Sequence, residues 1–222
     1  DYHPAPPQSV TAVLLQSVVL LNRKEGFKAK PLHPEAQLAP AFGVTVGDLD
    51  GDGVGDLAVG ASGDDGGANA GGAIWILFMN PNGTVKVELE ITTGQAGLSE
   101  QLFAFDGFGS SLAAMGDLDG DGVTELAVGL PGRDGAIDLN EGAVWVLFLK
   151  KNGAVKNVAM LQDVSGTDPA GADFGVSVAN AGDINGDGFA DLIVRRSGQR
   201  SDIFSDDEAI ARRHHWVLLN SG

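Results

Sequence analysis

No cysteine occurs in the chain, which excludes a disulfide framework and any thiolate metal site but leaves the compartment open. Basic residues are scarce: 14 Lys and Arg stand against 30 Asp and Glu, a formal charge of −16. Such a chain repels nucleic-acid phosphate and anionic membrane and suits cations, so nucleic acid is not an expected partner. No long apolar run is present either. The longest, Val10 to Leu21, is interrupted by Gln16 and Ser17 and is too short to span a bilayer, so no membrane insertion is expected within this segment. The chain starts at Asp1 without a basic n-region, so an export signal is expected to be already removed or never present. Aromatic residues make up only 6%, and nothing reads as a long amphipathic helix. The one candidate, residues 205–215, orders acids before bases but lies inside a loop. What the chain has in quantity is glycine, 33 residues, which favours tight turns between short strands. With 43% hydrophobic content, 222 residues are enough to bury a core.

Phe42-Gly43, Phe108-Gly109 and Phe174-Gly175 recur 66 residues apart, and each pair precedes an acidic, glycine-rich run. Periodicity of this kind identifies a repeat architecture. The runs are GDLDGDGVGDLAVG (47–60), GDLDGDGVTELAVG (116–129) and GDINGDGFADLIVR (182–195). Each is followed by a second shared stretch holding Trp75, Trp145 or Trp216. TVKVELEI (84–91) and AVKNVAML (154–161) then read as strands from their alternating or nearly continuous apolar residues. Each repeat thus offers four strands, A to D, and the fold is expected to be all-β. The three tryptophans share one strand position and are expected in core between repeats, with an aromatic sugar platform as the alternative. Residues 16–29 resemble a strand C with its turn, so residues 10–41 are expected to form a partial C–D hairpin behind a Pro-rich segment at 1–9. The repeats that follow are 42–107, 108–173 and 174–222, the last incomplete.

The acids fall at alternate positions of each loop. The first offers Asp48, Asp50, Asp52, the Val54 carbonyl and Asp56, and the second Asp117, Asp119, Asp121, the Val123 carbonyl and Glu125. The third offers Asp183, Asn185, Asp187, the Phe189 carbonyl and Asp191. Short carboxylates, a backbone carbonyl and a closing acid supply the oxygen ligands that Ca²⁺ prefers. Gly53, Gly122 and Gly188 at position 6 permit the sharp reversal that returns the position-7 carbonyl. About three ions are expected, one per loop. An EF-hand is excluded because position 12 is Val59, Val128 or Val194, inside an apparent strand. A catalytic carboxylate pair needs an apolar cleft, whereas these acids sit among glycines. Zn²⁺ lacks its nitrogen or sulfur ligands, and Mg²⁺ rarely uses a full protein cage. A solvated acidic turn is the remaining alternative, and three loops in register weigh against it.

The Phe-Gly pair, the acidic loop, strand B and the Gly60-Ala61-Ser62 or Gly129-Leu130-Pro131 that follows resemble the FG-GAP repeats of the integrin α-subunit β-propeller family. The resemblance covers most of residues 10–222. It implies blades of four antiparallel strands, Ca²⁺ in the A–B hairpin of each repeat, and an extracellular or cell-surface adhesion or recognition role. Two departures stand out. The first repeat has three fewer residues between Phe-Gly and its loop, which predicts a shortened or bulged inner strand, and the third repeat has Arg195-Arg196-Ser197 at the GAP position.

In a four-stranded blade the A–B and C–D turns share one face and the B–C and D–A loops the other. Ligand contact, to a protein or glycan, is expected on that second face, built from loops 62–72, 93–107, 131–142, 163–173 and 195–215. The last carries Arg195, Arg196, Arg200, Arg212 and Arg213 and is the first candidate for an acidic partner, a solvated insertion being the alternative. The chain has no Gly-x-Ser-x-Gly elbow, phosphate loop or metal-binding His pair, so no catalysis is expected. The alternative is a propeller domain of, or accessory to, a carbohydrate-active or other hydrolytic enzyme. Three A–B pairs do not close a propeller of four to eight blades, so a longer chain, a partner or self-association is expected to complete it.

Overall fold

The computed structural model describes residues 18–23, 26–31, 42–65, 70–134, 141–162, 173–184, 186, 188–197 and 215–218. All thirteen elements among them are strands. A two-stranded antiparallel hairpin, β1 (Val18–Arg23) with β2 (Gly26–Pro31), comes first. Then follow two four-stranded antiparallel meanders: β3 (Val44–Gly47), β4 (Asp56–Ala61), β5 (Ala73–Met79) and β6 (Val85–Ile91), and β7 (Ser111–Gly116), β8 (Glu125–Leu130), β9 (Ala143–Leu149) and β10 (Val155–Leu161). A third sheet holds β11 (Ser177–Gly182), β12 (Asp191–Arg195) and β13 (His215–Leu218). Most of the 195–215 loop, including the 205–215 helix candidate up to residue 214, lies outside the described residues. No helix among the described residues is long and apolar enough to cross a membrane.

The strand sequences set the packing. On β8 and β9, Leu126, Val128, Trp145 and Leu147 join Ala58, Ile74, Ile76 and Phe78 of the first sheet in one buried cluster. The intervening residues Ala127 and Val144 join Phe174, Val178, Leu192 and Val194 on the other side. A strand alternates its side chains between faces, so a sheet sandwiched between two neighbours must be apolar at every position, as AVWVLFL is. β6 and β10 lie at the outer edge of their sheets and carry exposed polar residues. β7 lies against β3 and β11, which makes A the inner strand of each blade. Trp145 is fully buried, its ring 5.7 Å from that of Phe108; Trp75, at the same register, is half-buried on the side of the first sheet away from the second.

The Phe-Gly and GAP glycines meet across blades. A Cβ on Gly60 would lie 1.9 Å from the Gly109 carbonyl oxygen, and one on Gly129 would lie 2.0 Å from that of Gly175. In the first repeat the structure departs from the sequence alignment. Gly43 accepts the bond from the Gly60 amide, so it holds the register of Ser111, which pairs with Gly129, rather than that of Gly109. Phe42 is accordingly 62% exposed, whereas Phe108 and Phe174 are buried. Of the two expectations for this inner strand, shortening is the one observed: β3 has four residues and pairs without irregularity, while β7 and β11 each carry a bulge.

Candidate functional site

Each acidic loop is folded by its own first acid. Asp48 accepts hydrogen bonds from the Asp52 and Gly53 amides at 3.0 and 2.9 Å, and Asp117 accepts them from Asp121 and Gly122, both at 2.9 Å. Asp183 accepts from the Gly186 and Gly188 amides. Gly53 and Gly122 sit at φ +85° and +84°, where a Cβ is strained, which is why position 6 is glycine. Asp52 and Asp121 each turn back to accept the amide two residues on, from Val54 and Val123.

The acid at position 9 is the buried member. Asp56, Glu125 and Asp191 open β4, β8 and β12 and are fully buried. Asp56 stitches its loop to strand C, accepting the Leu49 amide at 2.9 Å and the Met79 amide at 2.8 Å. Glu125 accepts the Leu118 amide at 2.7 Å, and Asp191 that of Ile184 at 2.8 Å. Glu125 Oε1, however, is a buried oxygen with no hydrogen bond of acceptable geometry. Burial pushes the Glu125 carboxyl up to about 7, the Leu118 amide acting against it and the nearby Asp119 with it. Burial likewise raises Asp56.

The structure brings carboxylate oxygens of Asp48, Asp50 and Asp56 within 4.8 Å of one another, and those of Asp117, Asp119 and Glu125 likewise. Like charges so close need a proton, a cation or both. The donor set is all hard oxygen, and the orphan Glu125 Oε1 points to an absent electrophilic partner, so the residues fit a divalent cation. Asp52 and Asp121 stand outside the two clusters, at the rim. There they pair with two residues that sequence reasoning missed. Lys86 Nζ lies 2.9 Å from Asp50 Oδ2 and 2.8 Å from Asp52 Oδ2. Lys156 Nζ lies 2.7 Å from Asp119 Oδ2 and also pairs with Asp121. These pairs hold both lysines above their usual value and Asp52 and Asp121 below theirs. The signal was in the sequence: each lysine follows the valine that opens strand D. Val54 is half-buried and Val123 buried; Phe189 lies in the described part of the third loop, whereas Asn185 and Asp187 fall outside the described residues.

The two loops also touch. The Thr124 amide donates to the Asp48 carbonyl at 3.2 Å, and a Cβ on Gly51 would lie 2.6 Å from the Gly122 carbonyl oxygen. At the opposite end of the blades, Arg133 donates to Asp106 Oδ2 at 2.6 Å and to the Gln101 carbonyl at 2.8 Å. Its guanidinium lies 4.9 Å from the Phe103 ring centroid. Phe103 and Phe105 are exposed there, Phe105 at φ +67°.

Comparison with known proteins places these features in a family setting. A model described as an FG-GAP-like repeat matches residues 117–194, and one described as an FG-GAP repeat matches residues 41–77. Integrin alpha-5 of Xenopus laevis is 33% identical over 171 residues, 73% of this chain and 15% of that protein. Phosphatidylinositol-glycan-specific phospholipase D of Bos taurus is 32% identical over 154 residues, 69% of this chain and 18% of that protein. Integrin alpha-IIb of Mus musculus is 34% identical over 178 residues, 75% of this chain and 16% of that protein. The chain thus spans less than a fifth of the length of these relatives.

Proposed function

Because the chain belongs to the FG-GAP repeat, integrin-alpha-like family, we propose that it is a calcium-stabilised β-propeller module that binds a protein or glycan ligand and catalyses nothing itself. The observation that carries this reading is the pair of matched carboxylate clusters, one with a buried, unsatisfied oxygen. Asp48, Asp50 and Asp56 would hold one ion and Asp117, Asp119 and Glu125 a second, with Asp183 and Asp191 as the described members of a third set. An ion there supplies positive charge where the loop concentrates negative charge. Three ions would move the formal charge from −16 to about −10. The role is that of a staple. Sites of this class in extracellular modules bind at about 0.1–1 mM, and free ion at 100 times the dissociation constant adds about 2.7 kcal/mol to folding for each site occupied.

The module acts at a cell surface or outside the cell, as part of a longer chain or assembly, and presents its ligand face away from the cation loops. The described part of that face includes Phe103 and Phe105. Replacing the 195–215 loop by residues 132–141 should weaken ligand binding while leaving the calcium response unchanged; equal binding by the swapped protein contradicts the placement. A second reading, a propeller accessory to a hydrolytic enzyme, is favoured by the phospholipase D match. A glycan and protein array run beside a panel of phosphodiester and glycoside substrates separates the two.

The stabilising role is tested by thermal unfolding in calcium and in chelator. The midpoints should differ by about 5–10 °C for each site that contributes about 2.7 kcal/mol in a chain of this size, and Asp119→Ala should abolish part of the difference. An unchanged midpoint contradicts it.

A further inference from the structure

Lys86 and Lys156 are the second residues of β6 and β10, and both are the extra residue of a β-bulge. Pairing runs from Phe78↔Val87 to Met79↔Val85, which leaves Lys86 without a partner across the ladder. It runs from Leu149↔Val155 to Phe148↔Asn157, which leaves Lys156 in the same position. A bulge bends its strand and re-aims the side chain it carries. In both blades that side chain reaches the acidic loop of its own sheet, a separation of 36 residues in sequence for Asp50 and 37 for Asp119, and bridges the acids at positions 3 and 5. An exposed ion pair held by two flexible side chains on loops does not need a bulge to form. Here the backbone irregularity, the lysine and the two carboxylates occur together twice.

We infer that Lys86 and Lys156 are affinity-setting residues of the two cation loops, each a built-in countercharge that lowers the loop's attraction for a divalent ion while holding the position-3 and position-5 acids in place. The inference rests on the cation reading above. Each of these two loops has four acids, so one ammonium reduces its formal charge from −4 to −3. That countercharge opposes an incoming dication and relieves repulsion among the acids when none is bound. One residue therefore acts in opposite directions on two measurable quantities: it weakens ion binding and strengthens the ion-free fold. A lysine that merely packed its stem against the blade would strengthen both.

The test uses the 222-residue chain with Lys86→Met, Lys156→Met and the double substitution, Met keeping the stem and losing the charge. Calcium affinity is read by calorimetric titration, and unfolding by melting in chelator. Each single variant should bind calcium about tenfold more tightly at its own loop and melt several degrees lower in chelator, with Lys86→Arg and Lys156→Arg close to wild type in both. The single variants keep the test open should the double variant fail to fold in chelator. Wild type that binds calcium beside Met variants that bind it equally or more weakly overturns the inference and leaves the cation reading standing. Wild type that takes up no calcium overturns the cation reading, and the inference with it.

Discussion

Glu125 and Asp56 hold one register position in two blades, opposite Gly116 and Gly47, and differ by a methylene. The shorter acid accepts two amides; the longer one accepts the Leu118 amide, but the Leu149 amide is too poorly placed to give its buried Oε1 a hydrogen bond of acceptable geometry. Burial raises the folded-state value of Glu125 from 4.5 to about 7, so between those values the folded chain holds a proton that the unfolded chain has lost. Its contribution to stability is complete below about 4.5 and is lost as pH climbs through 7. In chelator, the melting temperature should therefore fall by several degrees from pH 5 to pH 8, and Glu125→Gln should flatten most of that slope. Calorimetry across this range checks it, and an equal slope in the variant counts against the assignment. At this scale the sequence was informative about type and spacing: the acids at positions 1, 3, 5 and 9 read as one set, of which the first two loops bring 1, 3 and 9 together. It was silent on direction. That Asp52 and Asp121 turn to the rim depends on lysines supplied by another strand, a contact made only by the finished blade.

The strands and their junctions explain why the signature is written in glycine. Gly129 has ordinary backbone angles, yet a Cβ there would meet the Gly175 oxygen at 2.0 Å and Ser111 Oγ at 2.3 Å. Gly53 is the reverse case, with φ +85° and nothing within 4 Å. Gly129→Ala should accordingly cost about 2–4 kcal/mol by forcing two blades apart, and Gly53→Ala only about 1 kcal/mol of backbone strain. Denaturant midpoints of the two variants distinguish a packing glycine from a turn glycine, and equal losses contradict the assignment. Arg195 holds the register of Gly60 and Gly129 on β12, so a neighbour cannot approach there as Gly109 approaches Gly60. Element type was legible because acidic turns separate apolar runs. The register of the first repeat was not, because Phe42-Gly43 copies the motif while sitting in the register of Ser110-Ser111, and pairing rather than identity fixes which residue is equivalent.

Across the whole molecule the sheets stack through inner strands and the acidic loops line one end, so folding concentrates charge that Lys86 and Lys156 offset only in part and bound ions or protons relieve further. On the side of the first sheet away from its neighbour, Val59, Leu77 and Met79 are buried, and apolar exposure is confined to the inner strand. Thr45 accepts the Ala114 amide from the second blade, which turns Val44 and Val46 to the opposite side, where they are 56% and 61% exposed. Sedimentation of the isolated chain should show self-association, or an exposed-apolar dye should bind; a strictly monomeric 22.8 kDa species without dye binding contradicts the expectation of an additional blade or partner. The repeat architecture was the most legible level of all, since three loops in register cannot be mistaken for chance turns. What covers Val44 and Val46 was not, because the partner surface has no counterpart within the repeat. That these loops are cation sites of a stapled propeller is tested most directly by counting bound calcium per chain by equilibrium dialysis at about 10 mM free ion, above the expected dissociation constants. The account predicts about three ions, falling by one in Asp117→Ala with Asp119→Ala; no bound calcium, or the same count in that variant, contradicts it.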